Sequence, residues 1–308
     1  MNFKEQHVNC FYFMFSSIRV FARRNLFIRK IIGYHLSSSG LFDSYFRNYK
    51  TSSQWDMRIQ NVLKSPDNEY IPKVKDAGKI IRGKQIMHNG LKIYLGSYYG
   101  PEYSKMLLLS KGVHEPQEER VFMEVLKTLP ENAVMIEMGA FWSFYSMWFQ
   151  KEIKNATNYM IEPDEFNIGQ GIRNFKLNKF RGTFIKAFVE KNSEKAITGD
   201  SISIDDLVHQ KSIDFIHLLH SDIQGFEYEM LLGSVKTFSE HKVGYVFIST
   251  HSGEVHLRCL NFLLDRKFVI IANADLNDTY SEDGLIVARA PYFYGIDKIE
   301  ISRRSLPG

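Results

Sequence analysis

Apolar and polar positions in the second half of the chain follow two alternating periodicities. Continuous short apolar runs predict buried strands at residues 133–138, 157–161, 183–188, 213–221, 243–250, 267–272 and 285–290. Apolar positions three or four apart predict helices at residues 143–152, 164–177, 225–238 and 254–265. Repeated strand–helix–strand units are typical of an α/β fold with a parallel sheet between helices. Residues 273–283 leave no room for a helix, so the last two strands should form a hairpin with the final strand antiparallel.

The segment before this alternation combines a basic stretch with a hairpin. Residues 11–32 intersperse apolar side chains with cations at positions 19, 23, 24, 29 and 30, which predicts an amphipathic helix lying on an anionic membrane or on the protein. Asn89-Gly90 between two alternating runs predicts a β-hairpin. Residues 98–113 should be loop-rich, and Pro116 should open a helix. We expect an N-terminal accessory region at residues 1–113 and an α/β domain at residues 114–308.

Composition narrows the class of protein. The 308 residues suffice for one large domain with an extension, and 44% hydrophobic with 24% charged residues is typical of soluble globular proteins. A net charge of +4 is far from a nucleic-acid-binding extreme, so no nucleic-acid partner is expected. Cys10 and Cys259 cannot build a disulfide framework, and neither a signal peptide nor an 18-residue apolar run is found. We expect a cytoplasmic protein, with contact to the inner membrane face through its N-terminus as an alternative.

Two strand ends carry an acidic residue in positions that suit a nucleoside ligand. Glu137 precedes Gly139, and Glu162 precedes Pro163. A dinucleotide fingerprint needs three glycines, whereas Gly139 stands nearly alone. S-adenosylmethionine fits better, because its ammonium would meet Glu137, its carboxylate the amides of the helix start, and its ribose Glu162. The alternatives are a Gly-Ala turn that serves only tight packing, and an acid that caps the helix from Asp164.

A second polar block lies at the end of the strand predicted at residues 213–221. Asp222, Gln224 and Glu227 follow this strand closely and can reach one site, where open α/β sheets bind ligands. Helix capping by Asp222 and a surface position for Glu227 form the alternative interpretation. His220 should point to the opposite face of the strand from Ser221, as a packed histidine.

Five motifs occur in an order that resembles a known family. They are Glu137-Met-Gly-Ala140, Ile161-Glu-Pro-Asp164 and the segments 173–178, 203–207 and 221–227. Over residues 118–290 the chain resembles the FkbM-type family of S-adenosylmethionine-dependent methyltransferases, with Glu137, Phe141 and Ser143 where that family usually has Asp, Asn and Gly. The resemblance implies a Rossmann-like class I methyltransferase sheet of seven strands with the last antiparallel. It also implies methyl transfer to a hydroxyl of a sugar, glycolipid, polysaccharide or related natural product.

The predicted site residues follow from these motifs. Because a sugar hydroxyl is a weak acid, a base must remove its proton, and Asp222 and then His251 are the candidates. The residues expected to bind the cofactor are Glu137, Gly139, Ala140, Phe141, Glu162, Pro163, Phe188, Ser221 and Asp222. The residues expected to contact the acceptor, a hydroxylated small molecule or glycan, are Gln224, Glu227, His114 and Glu118. A divalent metal held by Asp222, Glu227 and His251 is conceivable but not favoured.

Two other classes of function share some of these features. A nicotinamide-dependent sugar oxidoreductase or epimerase would use a similar sheet, although the chain lacks its glycines and a Tyr-x-x-x-Lys pair. A non-catalytic module recruited to membranes by the basic N-terminus would bind without methylating. A homo-oligomer is compatible with either the enzyme or the module.

Overall fold

A computed structural model of the protein describes residues 40–194 and 200–304. The predicted basic amphipathic helix at residues 11–32, and Cys10 with it, lies outside the described residues. Within these two ranges no helix is both long and apolar enough to cross a bilayer.

The accessory region is more helical than predicted. Its elements are α1 (Leu41–Asn48), α2 (Ser53–Lys64), a 3₁₀ turn (Pro66–Glu69), β1 (Ile80–Ile81), β2 (Lys84–Ile86), β3 (Lys92–Tyr94) and α3 (Pro101–Leu109). The three strands form an antiparallel sheet in the order β1-β2-β3, which confirms the hairpin at Asn89-Gly90. The expectation of loops at residues 98–113 was wrong, because α3 begins on Pro101 and buries Tyr103 and Met106 one turn apart.

The remaining described residues form the α/β domain. Its elements are α4 (Pro116–Leu126), β4 (Val134–Met138), α5 (Phe144–Glu152), β5 (Thr157–Ile161), α6 (Glu165–Leu177), β6 (Thr183–Ile185), β7 (Phe188–Val189), β8 (Ser201–Ile202), α7 (Ile204–Gln210), β9 (Ile216–Ser221), α8 (Glu227–Leu232), α9 (Val235–Ser239), β10 (Val243–Thr250), α10 (Gly253–Asp265), β11 (Val269–Ala274) and β12 (Gly284–Arg289). Seven strands form one sheet in the order β11-β12-β10-β9-β4-β5-β6. β12 runs antiparallel to both of its neighbours, which confirms the predicted Rossmann-like class I sheet.

Three local differences from the predicted elements have physical causes. The helix predicted at residues 225–238 breaks at Gly233, where a Cβ would lie 2.5 Å from the Glu190 carbonyl oxygen. The strand predicted at residues 183–188 ends at Ile185, and Phe188 pairs instead with Ser201 in a separate two-stranded sheet. The unpredicted α7 is capped by Ser203, whose side chain accepts from the Asp206 amide.

The accessory region packs directly on the α/β domain. One hydrophobic cluster joins Ile59, Met87 and Leu107 to Phe122 and Trp148 across this boundary. Polar contacts reinforce it, since the Asn178 side chain accepts from the Lys92 amide at 3.0 Å and donates to its carbonyl at 2.7 Å. Asn174 accepts from the Tyr94 amide at 3.0 Å. The accessory region is thereby held against α6, beside the carboxyl ends of the central strands.

Candidate active site

A cleft of about 270 Å³ opens at the carboxyl ends of the central strands. It lies where the strand order reverses, with β4 leading to β5 on one side and flanked by β9 on the other. Open α/β sheets bind ligands at such a point. The predicted site residues that line the cleft are Glu137, Gly139, Ala140, Phe141, Glu162, Pro163, Phe188, Asp222, Gln224 and His114. Ser221, Glu118, Glu227 and His251 are not among the lining residues.

Gly139 allows the tips of β4 and β9 to meet. Its φ is 72°, and a Cβ there would lie 1.7 Å from the Asp222 carbonyl oxygen. The Gly139 and Ala140 amides donate to Ile161 O at 3.0 and 3.1 Å, and the Asp222 amide donates to Met138 O at 3.0 Å. Only glycine fits this close approach, so Gly139 serves the packing of the floor of the cleft. Its own contact with a ligand stays a prediction.

The loop after β4 is strained and crowded by aromatic rings. Phe141 and Ser143 have φ values of 36° and 60°, which non-glycine residues rarely adopt. Trp142 stacks on Tyr98 of the accessory region with 4.1 Å between ring centroids. The side-chain amide of Asn174 donates to Trp142 O at 3.2 Å, so this loop is also held by α6. Backbone strain of this kind persists only where surrounding contacts impose it, and it collects at functional sites.

The two acids at the strand ends both face the cleft, in different environments. Glu137 is buried and accepts from the Ser146 amide at 3.2 Å, and burial raises its pKa to about 7. Glu162 accepts from the Phe141 amide at 3.2 Å and from the Asp164 amide at 3.0 Å. Burial also raises the pKa of Glu162. Both carboxylates line one continuous cleft, as the sequence predicted.

Asp222, which lines the cleft, belongs to a group of four side chains that we call the rim cluster: Asp222, Glu227, His251 and Asp283. His251 Nδ1 lies 2.7 Å from Glu227 Oε1, and Nε2 lies 3.2 Å from Asp222 Oδ1 and 3.3 Å from Asp283 Oδ1. Burial lowers the pKa of His251, but its carboxylate neighbours raise it to about 10. Burial and the nearby Asp222 raise the pKa of Asp283 to about 7. These carboxylates favour the protonated ring, and Gln224 Nε2 also lies 2.8 Å from His251 Nε2. The expected role of His251 as a base stays a prediction.

Glu227 and Ser221 take positions that differ from those expected. Glu227 is fully buried, and its Oε1 accepts from the Gly225 amide at 3.0 Å while it holds His251. Glu227 therefore positions the imidazole, and its expected contact with the acceptor stays a prediction. The Ser221 side chain is also fully buried, on the opposite strand face from His220. Its expected contact with the cofactor stays a prediction.

A second group of ionisable side chains lies beneath the cleft. This floor cluster comprises His88, His114, Glu115 and Glu119. His114 Nδ1 lies 2.6 Å from Glu119 Oε1 and Nε2 lies 3.1 Å from Glu115 Oε2, while His88 Nε2 lies 3.0 Å from Glu119 Oε2. Burial lowers the pKa of His114, but Glu115 and Glu119 raise it to about 10. Since both ring nitrogens of His114 face carboxylates, its expected contact with the acceptor would require breaking an ion pair.

Glu118 does not belong to the floor cluster, although Glu115 and Glu119 of the same segment do. It is buried, with Oε1 2.7 Å from His220 Nε2, and its Oε2 accepts from the Ser249 hydroxyl at 2.8 Å. It is not among the residues that line the cleft, and its expected contact with the acceptor stays a prediction. His220 does line the cleft, although the sequence indicated only a packed histidine.

Tyr98, Tyr99 and Glu115 also line the cleft, and Asp283 belongs to the rim cluster. Tyr99 is 53% exposed at the cleft with a φ of 45°, and Tyr145 donates to Glu115 at 2.8 Å. Asp283 is the last residue of the segment 273–283, directly before β12. An acid at that position, at the edge of the sheet, is the sequence signal that indicates a role at the site. Among the described residues, no group of three or more His, Cys, Asp or Glu side chains is arranged to hold a metal ion.

Comparisons with known proteins give one family and several similar folds. Residues 135–270 match the family described as "Methyltransferase FkbM domain". No curated protein matches the chain. Similar solved structures include precorrin-6y C5,15-methyltransferase from Geobacter metallireducens GS-15, at 15% identity and a TM-score of 0.40 over 56% of this chain and 88% of that chain. They also include M. capricolum TrmK with S-adenosyl-homocysteine, at 10% identity and a TM-score of 0.39 over 59% and 71% of the two chains.

Proposed function

We propose that the protein transfers a methyl group from S-adenosylmethionine to a hydroxyl oxygen, because residues 135–270 match the FkbM methyltransferase domain. The acceptor class we propose is a sugar, glycolipid, polysaccharide or related natural product. One observation carries the proposal: Glu137 and Glu162, at the ends of the adjacent strands β4 and β5, line the same cleft. Two carboxylates so placed suit an ammonium group and a pair of ribose hydroxyls.

The chemistry of the lining fits this cofactor. When bound, S-adenosylmethionine supplies a methyl group on a positively charged sulfur, a strongly electrophilic carbon. Glu137 holds its ammonium, Glu162 holds the ribose hydroxyls, and the segment Ala187, Phe188 and Val189 faces the adenine. Glu190 and Asp222 add negative charge to the lining, which suits a cationic ligand.

Asp222 is the residue that we assign to the hydroxyl proton of the acceptor. It lines the cleft, and His251 Nε2 lies 3.2 Å from its Oδ1. This contact orients the carboxylate, and Asp222 then accepts the proton as the oxygen becomes nucleophilic. Asp283 is the alternative base, because its pKa of about 7 matches neutral pH.

The accessory region completes the acceptor side in this proposal. Tyr98 and Tyr99 reach the cleft from outside the α/β domain, and Tyr99 is half exposed there. Aromatic faces of this kind pack against sugar rings and flat natural products. We therefore propose that residues 114–308 bind the cofactor and that residues 40–113 contribute part of the acceptor site.

The nicotinamide alternative fits the cleft less well. A pyrophosphate would meet the rings of Phe141 and Trp142 at the first loop, with Glu137 and Glu162 beside it. Carboxylates repel phosphate groups, and bulky rings fill the space that glycines leave open in dinucleotide sites.

Calorimetric titration of the full chain with S-adenosylhomocysteine and with NAD⁺ tests the cofactor assignment. We expect micromolar binding of S-adenosylhomocysteine and none of NAD⁺. Labelled methyl transfer from S-adenosylmethionine to a panel of saccharides, glycolipids and phenols then tests the acceptor class. Binding of NAD⁺ without S-adenosylhomocysteine, or methylation of amines alone, would overturn the proposal.

A further inference from the structure

His220 is a buried cleft residue with one ring nitrogen in use and one free. Its side chain is 2% exposed yet lines the cleft. Nε2 lies 2.7 Å from Glu118 Oε1, and Glu118 is held in turn by the Ser249 hydroxyl. Nδ1 is buried and has no hydrogen-bond partner. A buried polar atom without a partner is costly, and in a cleft it points to a ligand group.

The charge on His220 determines which ligand group it suits. Burial lowers the pKa of His220, but the contact with Glu118 and the charges of Glu118 and Glu137 outweigh that effect and raise it. These contacts favour the protonated ring, in which Nε2–H is directed to Glu118 and Nδ1–H has no partner among the described residues. Such a donor suits an anionic oxygen acceptor.

Other cations do not compete for that role among the described residues. Those that line the cleft include no lysine or arginine, and the other lining histidine, His114, has a carboxylate at each ring nitrogen. The backbone amides at the start of α5, which the sequence predicted to bind the carboxylate of the cofactor, are also partly engaged by another group. The Ser146 amide already donates to Glu137 at 3.2 Å.

His220 lies directly beside the residue assigned to the cofactor's ammonium. Glu137 on β4 and His220 on β9 are register partners in neighbouring parallel strands, and both line the cleft. Side chains in this relation stand about 5 Å apart on one face of a sheet. A free α-amino acid group carries its ammonium and its carboxylate on a single carbon, so a neighbouring anion and cation match it.

We propose that His220, through Nδ1–H, binds the carboxylate of the methionine tail of the cofactor while Glu137 binds its ammonium. Glu118 and Ser249 are positioning residues that orient the ring. This assignment rests on the proposed function and specifies how one end of its cofactor is recognised.

Two histidine substitutions separate the two ring nitrogens. His220→Gln places an amide near the position of Nε2, so it keeps the contact with Glu118 and loses the donor toward the cleft. His220→Asn places an amide near Nδ1 and keeps that donor without its charge. His217→Gln is the matched control, because His217 lies at the other end of β9 and does not line the cleft.

The ligands compared are S-adenosylhomocysteine and 5′-methylthioadenosine, which lacks the amino-acid tail, by calorimetry on the full chain. For His220→Gln we expect about a 10- to 100-fold loss of S-adenosylhomocysteine affinity and a change below about threefold for methylthioadenosine. His220→Asn should lose less. His217→Gln should bind both ligands as the wild type does. Retained methylthioadenosine binding also shows that each variant is folded.

Each other outcome contradicts a distinct step. Unchanged S-adenosylhomocysteine affinity in His220→Gln would overturn the assignment of His220 and leave the proposed function intact. Equal losses for both ligands would also overturn it, since His220 would then shape the cleft as a whole. A wild-type chain that binds neither ligand would overturn the proposed function and this inference together.

Discussion

The floor cluster and the rim cluster use the same residue types in opposite ways. Glu119, at the centre of the floor cluster, has a fully buried side chain between two histidines. In the rim cluster, 30% of the Asp222 side chain and 21% of the Asp283 side chain remain exposed beside His251. A closed cluster holds its protons and its geometry, whereas an open one can exchange a proton with an incoming acceptor. Solvent access, more than residue type, separates a structural ion pair from a candidate catalytic one.

The largest expected effect comes from removing the carboxylate of the rim cluster that faces the cleft. Asp222→Asn keeps the shape of the side chain but cannot accept a proton, so we expect methyl transfer to fall by about 10³-fold. S-adenosylhomocysteine affinity should change little. The measurement is labelled methyl transfer to whichever acceptor of the panel the wild-type chain methylates, with calorimetry alongside.

Asp214→Asn is the matched control for this variant, because Asp214 is an exposed aspartate just before the same strand. Its transfer rate should equal that of the wild type. Full activity in Asp222→Asn would remove Asp222 from the chemistry and leave Asp283 as the base to examine.

Breaking the floor cluster should affect stability instead of chemistry. Glu119→Ala leaves the His114 imidazolium with one carboxylate and removes the acceptor of two backbone amides. Uncompensated buried charge of this kind costs about 3 kcal/mol of unfolding free energy. Urea denaturation measures the loss, which should appear without a change in the slope of the transition.

Glu124→Ala on the same helix is the control for the floor cluster, since Glu124 lies on its exposed side and pairs with Lys127. A surface pair contributes at most about 1 kcal/mol. If Glu119→Ala were as stable as Glu124→Ala, the floor cluster would not hold the fold together.

The sequence predicted the sheet well because the spacing of apolar residues and the continuous apolar runs depend directly on which positions are buried. The seven strands, their antiparallel end and the acids Glu137 and Glu162 follow from such local patterns. The sequence did not indicate that Glu118 lies against His220, because this contact joins residues 102 positions apart. Local patterns also do not fix whether Tyr99 enters the cleft, since that depends on how the accessory region packs. Predictions failed where a role depends on a distant partner.

Glu137 also lines the cleft and offers a sharp test of how burial changes the pKa of a carboxylate. Burial raises its pKa from 4.5 to about 7, so the folded chain holds that proton more tightly than the unfolded chain does. The wild-type chain therefore loses stability as pH rises from about 4.5 to 7, and stays lower above pH 7. Glu137→Gln cannot ionise, so it should be more stable than the wild type by about 3 kcal/mol at pH 8 and nearly equal to it at pH 4.5. Thermal or urea unfolding at both pH values measures this difference.

The same substitution should weaken S-adenosylhomocysteine binding, because the ammonium loses its anionic partner. Glu131→Gln serves as the control, since Glu131 is exposed and its carboxylate pairs with Lys154 at the surface. Its stability difference from the wild type should be small at both pH values. A Glu137→Gln variant that gains as much stability at pH 4.5 as at pH 8 would show that the gain comes from packing. Glu137 would then matter at the cleft for its packing and not for its charge. Its assignment to the ammonium would have no electrostatic basis.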